Sequence, residues 1–222
     1  MGGMVTVNQI KEHIARHLQW DDSLKGSRIN VDYLGRKAIL TGTVPNLLAH
    51  AMAQRDAQSI PGVESVENRL IVQFQHDHPN KNDRELQSDV SKVLSCTAEI
   101  DMKKIQISVQ DSIVQIKGST EAYWKKARIE ELASSIEDVL EVRNEVQVLP
   151  VDQAPDASIR QDIILALQRM EVPGLDRLQI KVNRGVVKIS GTVPTWSISF
   201  DVEDTARYTA GVIDVINNLT VD

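Results

Sequence analysis

The chain has 222 residues, 41% hydrophobic and 25% charged, the balance of an ordinary soluble protein of one or two domains rather than a disordered or fibrous one. Its 25 basic and 31 acidic residues leave a net charge of −6, which argues against nucleic-acid binding through a basic surface. The single cysteine, Cys96, excludes an internal disulfide framework and any paired-cysteine zinc or redox motif, and no apolar run approaches the roughly 18 to 20 residues that cross a bilayer.

The chain opens with Met1-Gly2-Gly3-Met4 and runs straight into Val5-Thr6-Val7-Asn8, without the basic and apolar segments of a secretory leader. The expectation is a cytoplasmic protein if Met4 is the native start, and a periplasmic one if a leader has been removed. Ile10, Ile14 and Leu18 then recur at spacing four and predict a first helix. Ile29 and Val31 mark a strand, and a second strand closes at Leu40-Thr41-Gly42-Thr43. Pro45 sits near the first turn of a second helix, where a missing N–H costs little, and Gly62 breaks that helix. Val63 and Val66 lead into a third strand that ends at Leu70 and Val72.

The same series then repeats twice. A polar linker, Gln75-His76-Asp77-His78-Pro79-Asn80-Lys81-Asn82, precedes Leu86, Val90 and Leu94 at helical spacing. Ile105-Gln106-Ile107-Ser108-Val109 alternates as a half-buried strand, Asp111-Ser112 supplies turn chemistry, and Ile113-Val114-Gln115-Ile116 is the partner strand. A second linker, Pro150 to Pro155, precedes Ile159, Ile163 and Leu167; Leu178 to Val182, Arg184-Gly185 and Val186 to Ile189 repeat the hairpin, and Pro194 again stands near a helix start.

Anchored on Gly42, Gly118 and Gly191, 63 positions align three times without a gap. Ala57, Ala133 and Ala206 stand 15 residues after the glycine, Val66, Val142 and Val215 stand 24 after it, and Asn68, Asn144 and Asn217 stand 26 after it. The predicted fold class is α+β: three tandem αββαβ domains at residues 8–74, 83–149 and 156–222. Each is a three-stranded mixed sheet, with a hairpin, a right-handed crossover and two helices on one face. A unit of about 65 residues is marginal alone, so the open face of some sheets is expected to be covered by a neighbouring copy or a second chain.

The αββαβ order, the strand-Gly-Thr/Ser step, the fixed alanine and the Val-x-Asn entering the last strand together resemble the BON domain, the module of bacterial osmotically inducible and nodulation-associated proteins. The resemblance covers nearly the whole chain. It implies a non-enzymatic module linked to phospholipid interaction, envelope maintenance and osmotic stress. A relative of this class that binds potassium adds, as an alternative, a cation-responsive role.

The residues give no catalytic constellation: there is no Gly-x-Ser-x-Gly elbow, and Lys117-Gly118-Ser119-Thr120 lacks the glycine that opens a phosphate loop. His13 and His17 share a helix face, but Ile14 stands where a zincin has glutamate, and the other copies carry Asp89/Val93 and Asp162/Ala166. The pair therefore reads as a solvated helix flank, His76 and His78 as linker residues, His50 as a lone histidine and Cys96 as an idle thiol. No metal or cofactor is expected. Gly42, Gly118, Gly191, Asn68, Asn144 and Asn217 read as structural, the asparagines making local backbone bonds.

The functional signal is apolar and lies at the start of each second helix: Leu47-Leu48, Tyr123-Trp124 and Trp196-Ser197. Tyrosine and tryptophan combine an apolar body with a polar tip and suit lipid and protein interfaces alike. Lys125, Lys126 and Arg128 beside Trp124 add positive charge for an anionic membrane surface. The first repeat, with eight basic and seven acidic residues, is net +1, while the second and third are net −4 and −2. The candidate binding residues are thus Leu47, Leu48, Tyr123, Trp124, Lys125, Lys126, Arg128 and Trp196. Their expected partner is a phospholipid membrane surface or, alternatively, another protein or a second copy of the chain in a scaffold, with no role for nucleic acid.

Overall fold

The computed structural model describes residues 6–73, 81–150 and 154–221. Met4, most of the first linker, including His76-Asp77-His78, and residues 151–153 of the second lie outside the described residues. The elements run α1 (Val7–Trp20), β1 (Arg28–Leu34), β2 (Lys37–Val44), α2 (Leu47–Ser59) and β3 (Ser65–Val72). Then come α3 (Asp83–Ser95), β4 (Ile105–Gln110), β5 (Ile113–Thr120), α4 (Tyr123–Ser134) and β6 (Glu141–Val148). The last set is α5 (Asp156–Arg169), β7 (Gln179–Asn183), β8 (Val186–Val193), α6 (Trp196–Arg207) and β9 (Asp214–Val221). Three mixed sheets result, ordered β1-β2-β3, β4-β5-β6 and β7-β8-β9. In the first and third, the middle strand pairs antiparallel with its hairpin partner and parallel with the strand that returns after the second helix. This is the predicted α+β class.

By contact, the chain falls into two compact units. One holds the first repeat together with Val109–Val114 and Glu131–Val142; the other holds the third repeat together with Ser91–Ser108 and Gln115–Glu130. In the first repeat, Ile10, Ile14 and Leu18 of α1 join Val31, Ala38, Leu40, Val44 and Leu70 of the sheet. Ala49, Ala53 and Ala57 line the inner face of α2 with no exposure at all, so this helix lies close upon the strands. Ile159, Ile163 and Leu167 play the part of the α1 stripe in the third repeat, against Ile180, Val187, Ile189, Val202, Ala206 and Leu219.

The hairpins close through two-residue turns in which both residues have positive φ: Gly35 and Arg36, Asp111 and Ser112, Arg184 and Gly185. In the second and third repeats an aspartate at the start of the first helix supports the turn. The Asp83 carboxylate accepts the N–H groups of Asp111 and Ser112 at 3.0 Å each, and Asp156 accepts those of Arg184 and Gly185 at 2.8 and 2.9 Å.

Three features add to the sequence-based expectation. A short 3-10 turn (Asp22–Leu24, Met102–Lys104, Leu175–Arg177) precedes the first strand of each repeat. Pro45 and Pro194 lie just outside the second helix, because Asn46 and Thr195 cap it by accepting the N–H groups of Ala49 and Ile198. The helix-free sheet faces carry polar pairs: Glu67 with Lys37 and Arg69, Glu145 with Gln115 and Lys117, and Thr192 with Thr220. Ile71 and Ile216 stand exposed on the same faces.

Gly42, at φ +120°, passes so close to the preceding strand that a Cβ on it would sit 2.0 Å from the Arg28 carbonyl oxygen. Gly118 and Gly191 meet Lys104 and Arg177 in the same way, at 1.9 and 2.3 Å. Because the obstacle is backbone, it cannot swing aside. Gly42→Ala is expected to lower stability by about 3 kcal/mol or more in urea unfolding, against about 1 kcal/mol or less for the neighbouring Thr43→Ala.

Candidate functional site

Two of the three second-helix starts singled out in the sequence lie against the next repeat. In the first repeat, Leu47 and Leu48 are half-buried, and the cap residue Asn46 donates from Nδ2 to the carbonyl oxygen of Ser135, just past the end of α4, at 3.0 Å. In the second, Tyr123 packs against the core of the third repeat, and Trp124 stacks on Tyr208, just past the end of α6, with ring centroids 5.9 Å apart and planes at 21°. Burial, and next the nearby Asp214 carboxylate, push the Tyr123 phenol above its ordinary pKa. Ser135 and Tyr208 each stand 17 residues past their repeat glycine. The same two surfaces therefore meet in both contacts, the start of one second helix against the end of the next.

The basic residues beside Trp124 divide. Lys125 is largely buried, pairs with Glu121 and lies 5.4 Å over the Trp124 ring. Lys126 gives its carbonyl to Asn144, and Arg128 is exposed. In the third repeat, the rings of Trp196 and Phe200 lie 6.4 Å apart.

Each repeated asparagine ties the last strand to the second helix. Its Oδ1 accepts the N–H two residues on: Leu70 at 3.1 Å, Val146 at 3.3 Å and Leu219 at 3.0 Å. Its Nδ2 reaches back to the helix, at 2.9 Å to the carbonyl of His50 from Asn68 and of Lys126 from Asn144, and at 2.9 Å to Glu203 from Asn217. The long arm joins residues 18 or 14 apart in the chain and has no local sequence signal.

A groove of the first repeat gathers aromatic and titratable side chains. His13, Arg16, His17, Trp20 and Asp21 from the end of α1 face Asp56 and Ile60 from the end of α2 across a groove of about 650 Å³. The first four residues follow the i, i+3, i+4, i+7 spacing of a single helix stripe. Trp20 is 82% exposed, the most exposed large apolar side chain among the described residues. Asp56, with a side chain only 17% exposed, has a buried Oδ2 that makes no hydrogen bond to a described residue and lies 3.8 Å from His17 Nδ1. Burial, and next the charge of Asp21, raise Asp56 to about 6. Burial acts the same way on Asp21, but hydrogen bonds from Ser23 outweigh it and hold that carboxyl below the usual range.

The other copies do not repeat this groove. The positions of His13, Arg16, His17, Trp20, Asp21 and Asp56 hold Asp89, Lys92, Val93, Cys96, Thr97 and Leu132 in the second repeat. In the third they hold Asp162, Leu165, Ala166, Arg169, Met170 and Thr205, and there the Thr205 hydroxyl reaches the Met170 sulfur at 3.4 Å. Among the described residues, no group of three or more His, Cys, Asp or Glu side chains is arranged to hold a metal ion. No helix among them is long and apolar enough to cross a membrane.

A BON-domain family model matches the chain three times, at residues 6–73, 82–150 and 155–222. The chain belongs to the BON domain family. Osmotically-inducible protein Y of Escherichia coli (strain K12) is 21% identical over 150 residues, covering 66% of this chain and 75% of that protein. Among solved structures, the C-terminal domain of CdsD, a structural protein of the Type III secretion system of Chlamydia trachomatis, is 15% identical and covers 100% of both chains at a TM-score of 0.26. The PrgH periplasmic domain is 13% identical and covers 90% of this chain and 97% of that one at a TM-score of 0.23.

Two outcomes follow. Asp56 binds its proton more tightly folded than unfolded, so it contributes stability below pH ~4 that is lost as pH rises to ~6. Asp56→Asn should therefore raise the unfolding free energy at pH ~7.5 by about 1–3 kcal/mol and leave it nearly unchanged at pH ~4. At the junction, a double-mutant cycle with Trp124→Ala and Tyr208→Ala should give a coupling of about 0.5–1.5 kcal/mol.

Proposed function

We propose that this chain of three BON domains is a non-enzymatic binding protein that attaches weakly to anionic phospholipid surfaces under osmotic or envelope stress. The stress link rests on the family and on the name of its Escherichia coli relative. The observation that carries the lipid contact is the exposed Trp20 beside Arg16, on the one repeat whose net charge is positive. An indole seats in the interfacial layer of a bilayer, and a guanidinium beside it pairs with lipid phosphate. In this reading Tyr123 and Trp124, with the flanking Lys125, serve the junction between the second and third repeats. Lys126, Arg128, Leu47, Leu48 and Trp196 are secondary candidates, each within its own repeat. The alternative is a protein-protein scaffold, favoured by the Trp124–Tyr208 stack, which makes a second-helix start a protein-binding surface.

Salt separates the two readings, because lipid attraction through charge fades as ionic strength rises while an apolar protein interface does not. The full chain should float with phosphatidylglycerol vesicles at low salt, with a blue shift of tryptophan emission, and much less with neutral vesicles. Trp20→Ala should reduce flotation by about fivefold or more, while Trp124→Ala should reduce it by about twofold or less. If the chain never floats, the lipid reading is wrong and the scaffold leads. If Trp124→Ala alone abolishes flotation, the contact lies at the second-helix start.

A further inference from the structure

We propose that the outer stripe at the C-terminal end of α1 is a self-complementary interface, through which two copies of the chain pair antiparallel about a twofold axis. The proposal goes beyond the lipid reading and does not depend on it. The case starts from what is private to one copy. Ile10, Ile14 and Leu18 fill the core from the inner side of α1, and their equivalents do so in the third repeat. The outer stripe differs: Arg16 and Trp20 are Lys92 and Cys96 in the second repeat, Leu165 and Arg169 in the third. The common fold therefore asks for neither side chain, yet the first repeat holds a large indole 82% exposed beside a guanidinium.

The order of charges along the stripe then selects the partner. Arg16 comes before Trp20 and Asp21 directly after it, and all three line the same groove. Arg16 and Asp21 stand about 7.5 Å apart along the helix axis. The Asp21 carboxylate is held in place by the Ser23 N–H, which it accepts at 2.7 Å. When two such helices pair antiparallel, with the twofold axis at the level between Leu18 and Gln19, Arg16 of each copy falls opposite Asp21 of the other. The same register sets His17 of each copy opposite Trp20 of the other. A parallel pair instead puts arginine on arginine. One arrangement thus matches both charges and gives each exposed indole a flat ring to lie against.

Exposed ion pairs add little affinity and chiefly fix orientation, so the indole carries the contact. Tryptophan and arginine are the side chains that most often dominate protein interfaces. The groove of about 650 Å³, with Ile60 in its lining, gives the second copy's indole a seat. One helix stripe per chain is a small interface, so the dissociation constant is on the order of 10–100 µM. A docked copy covers both Trp20 rings, so a second copy and a bilayer compete for them.

The test is sedimentation equilibrium of the full chain without lipid, from ~5 to ~300 µM, where wild type should show a monomer–dimer equilibrium. Trp20→Ala should weaken it by about tenfold or more. Arg16→Glu and Asp21→Lys should each weaken it by about tenfold or more, because like charges then face each other. An equimolar mixture of these two variants should regain wild-type pairing, since each reversed charge meets its opposite across the twofold axis. Recovery on mixing also shows that both variants are folded, and circular dichroism checks each alone. Arg16 and Trp20 are exposed, so their variants keep the core and decide the matter even if Asp21→Lys, which loses the Ser23 bond, does not fold. Wild type that stays monomeric throughout, or Trp20→Ala or Arg16→Glu that pairs as well as wild type, would overturn the proposal. Folded charge variants that fail to recover on mixing would overturn it too. With no lipid present, failure here leaves the lipid reading standing, and failure to float leaves this one standing.

Discussion

Everything in a repeat hangs on the place where its middle strand grazes the preceding one. At Gly42, Gly118 and Gly191 the strand passes so near a carbonyl oxygen that no side chain fits, and φ there is +120° to +133°. Only a residue without a Cβ takes that conformation next to a fixed backbone. The kink lets the strand end in time for a capped helix to begin five residues after the glycine, at Leu47 behind its cap Asn46 and at Trp196 behind its cap Thr195. That helix in turn must lie flat on the sheet, which explains the alanines along α2. Its distance from the last strand is held by the asparagine 26 residues past the glycine.

The three copies therefore divide their residues in two. Shared residues close the turn, seat the helix and fill the core. Private residues are few, and two groups of them have a place: the aromatic pair Tyr123-Trp124, placed against the third repeat, and the titratable lining of the first-repeat groove. A tandem array thus keeps one scaffold and varies what is displayed upon it, which is how loops and surfaces take on roles in folds generally.

Much of the fold was legible in the sequence, because its cues are local and repeat. Spacing of four in Ile10, Ile14 and Leu18, alternation in Leu178 to Val182, and turn pairs such as Arg184-Gly185 each report on a few neighbouring residues, and three copies average out the noise. The second-helix starts were also legible, at Leu47, Tyr123 and Trp196, and the structure adds that Asn46 and Thr195 cap the first and last of them. The candidate site was less legible. Trp20 and Asp56 are 36 positions apart and meet only when α1 and α2 pack. Departure of His13 and His17 from the repeat reads in the sequence as a mark of irrelevance; in three dimensions the departures gather in one place. The long arm of each asparagine was hidden for the same reason, since its acceptor lies on another element.

The contacts between consecutive repeats have one more property. They join two different surfaces, the start of one second helix and the end of the next, so neither surface is its own complement. Every copy carries both. An in-frame duplication can thus add a unit that already presents both positions, the side chains at them then being varied, as Asn46 against Ser135 and Trp124 against Tyr208 are. The length of such an array is then open to evolution by copying alone, with no new interface to invent at each step.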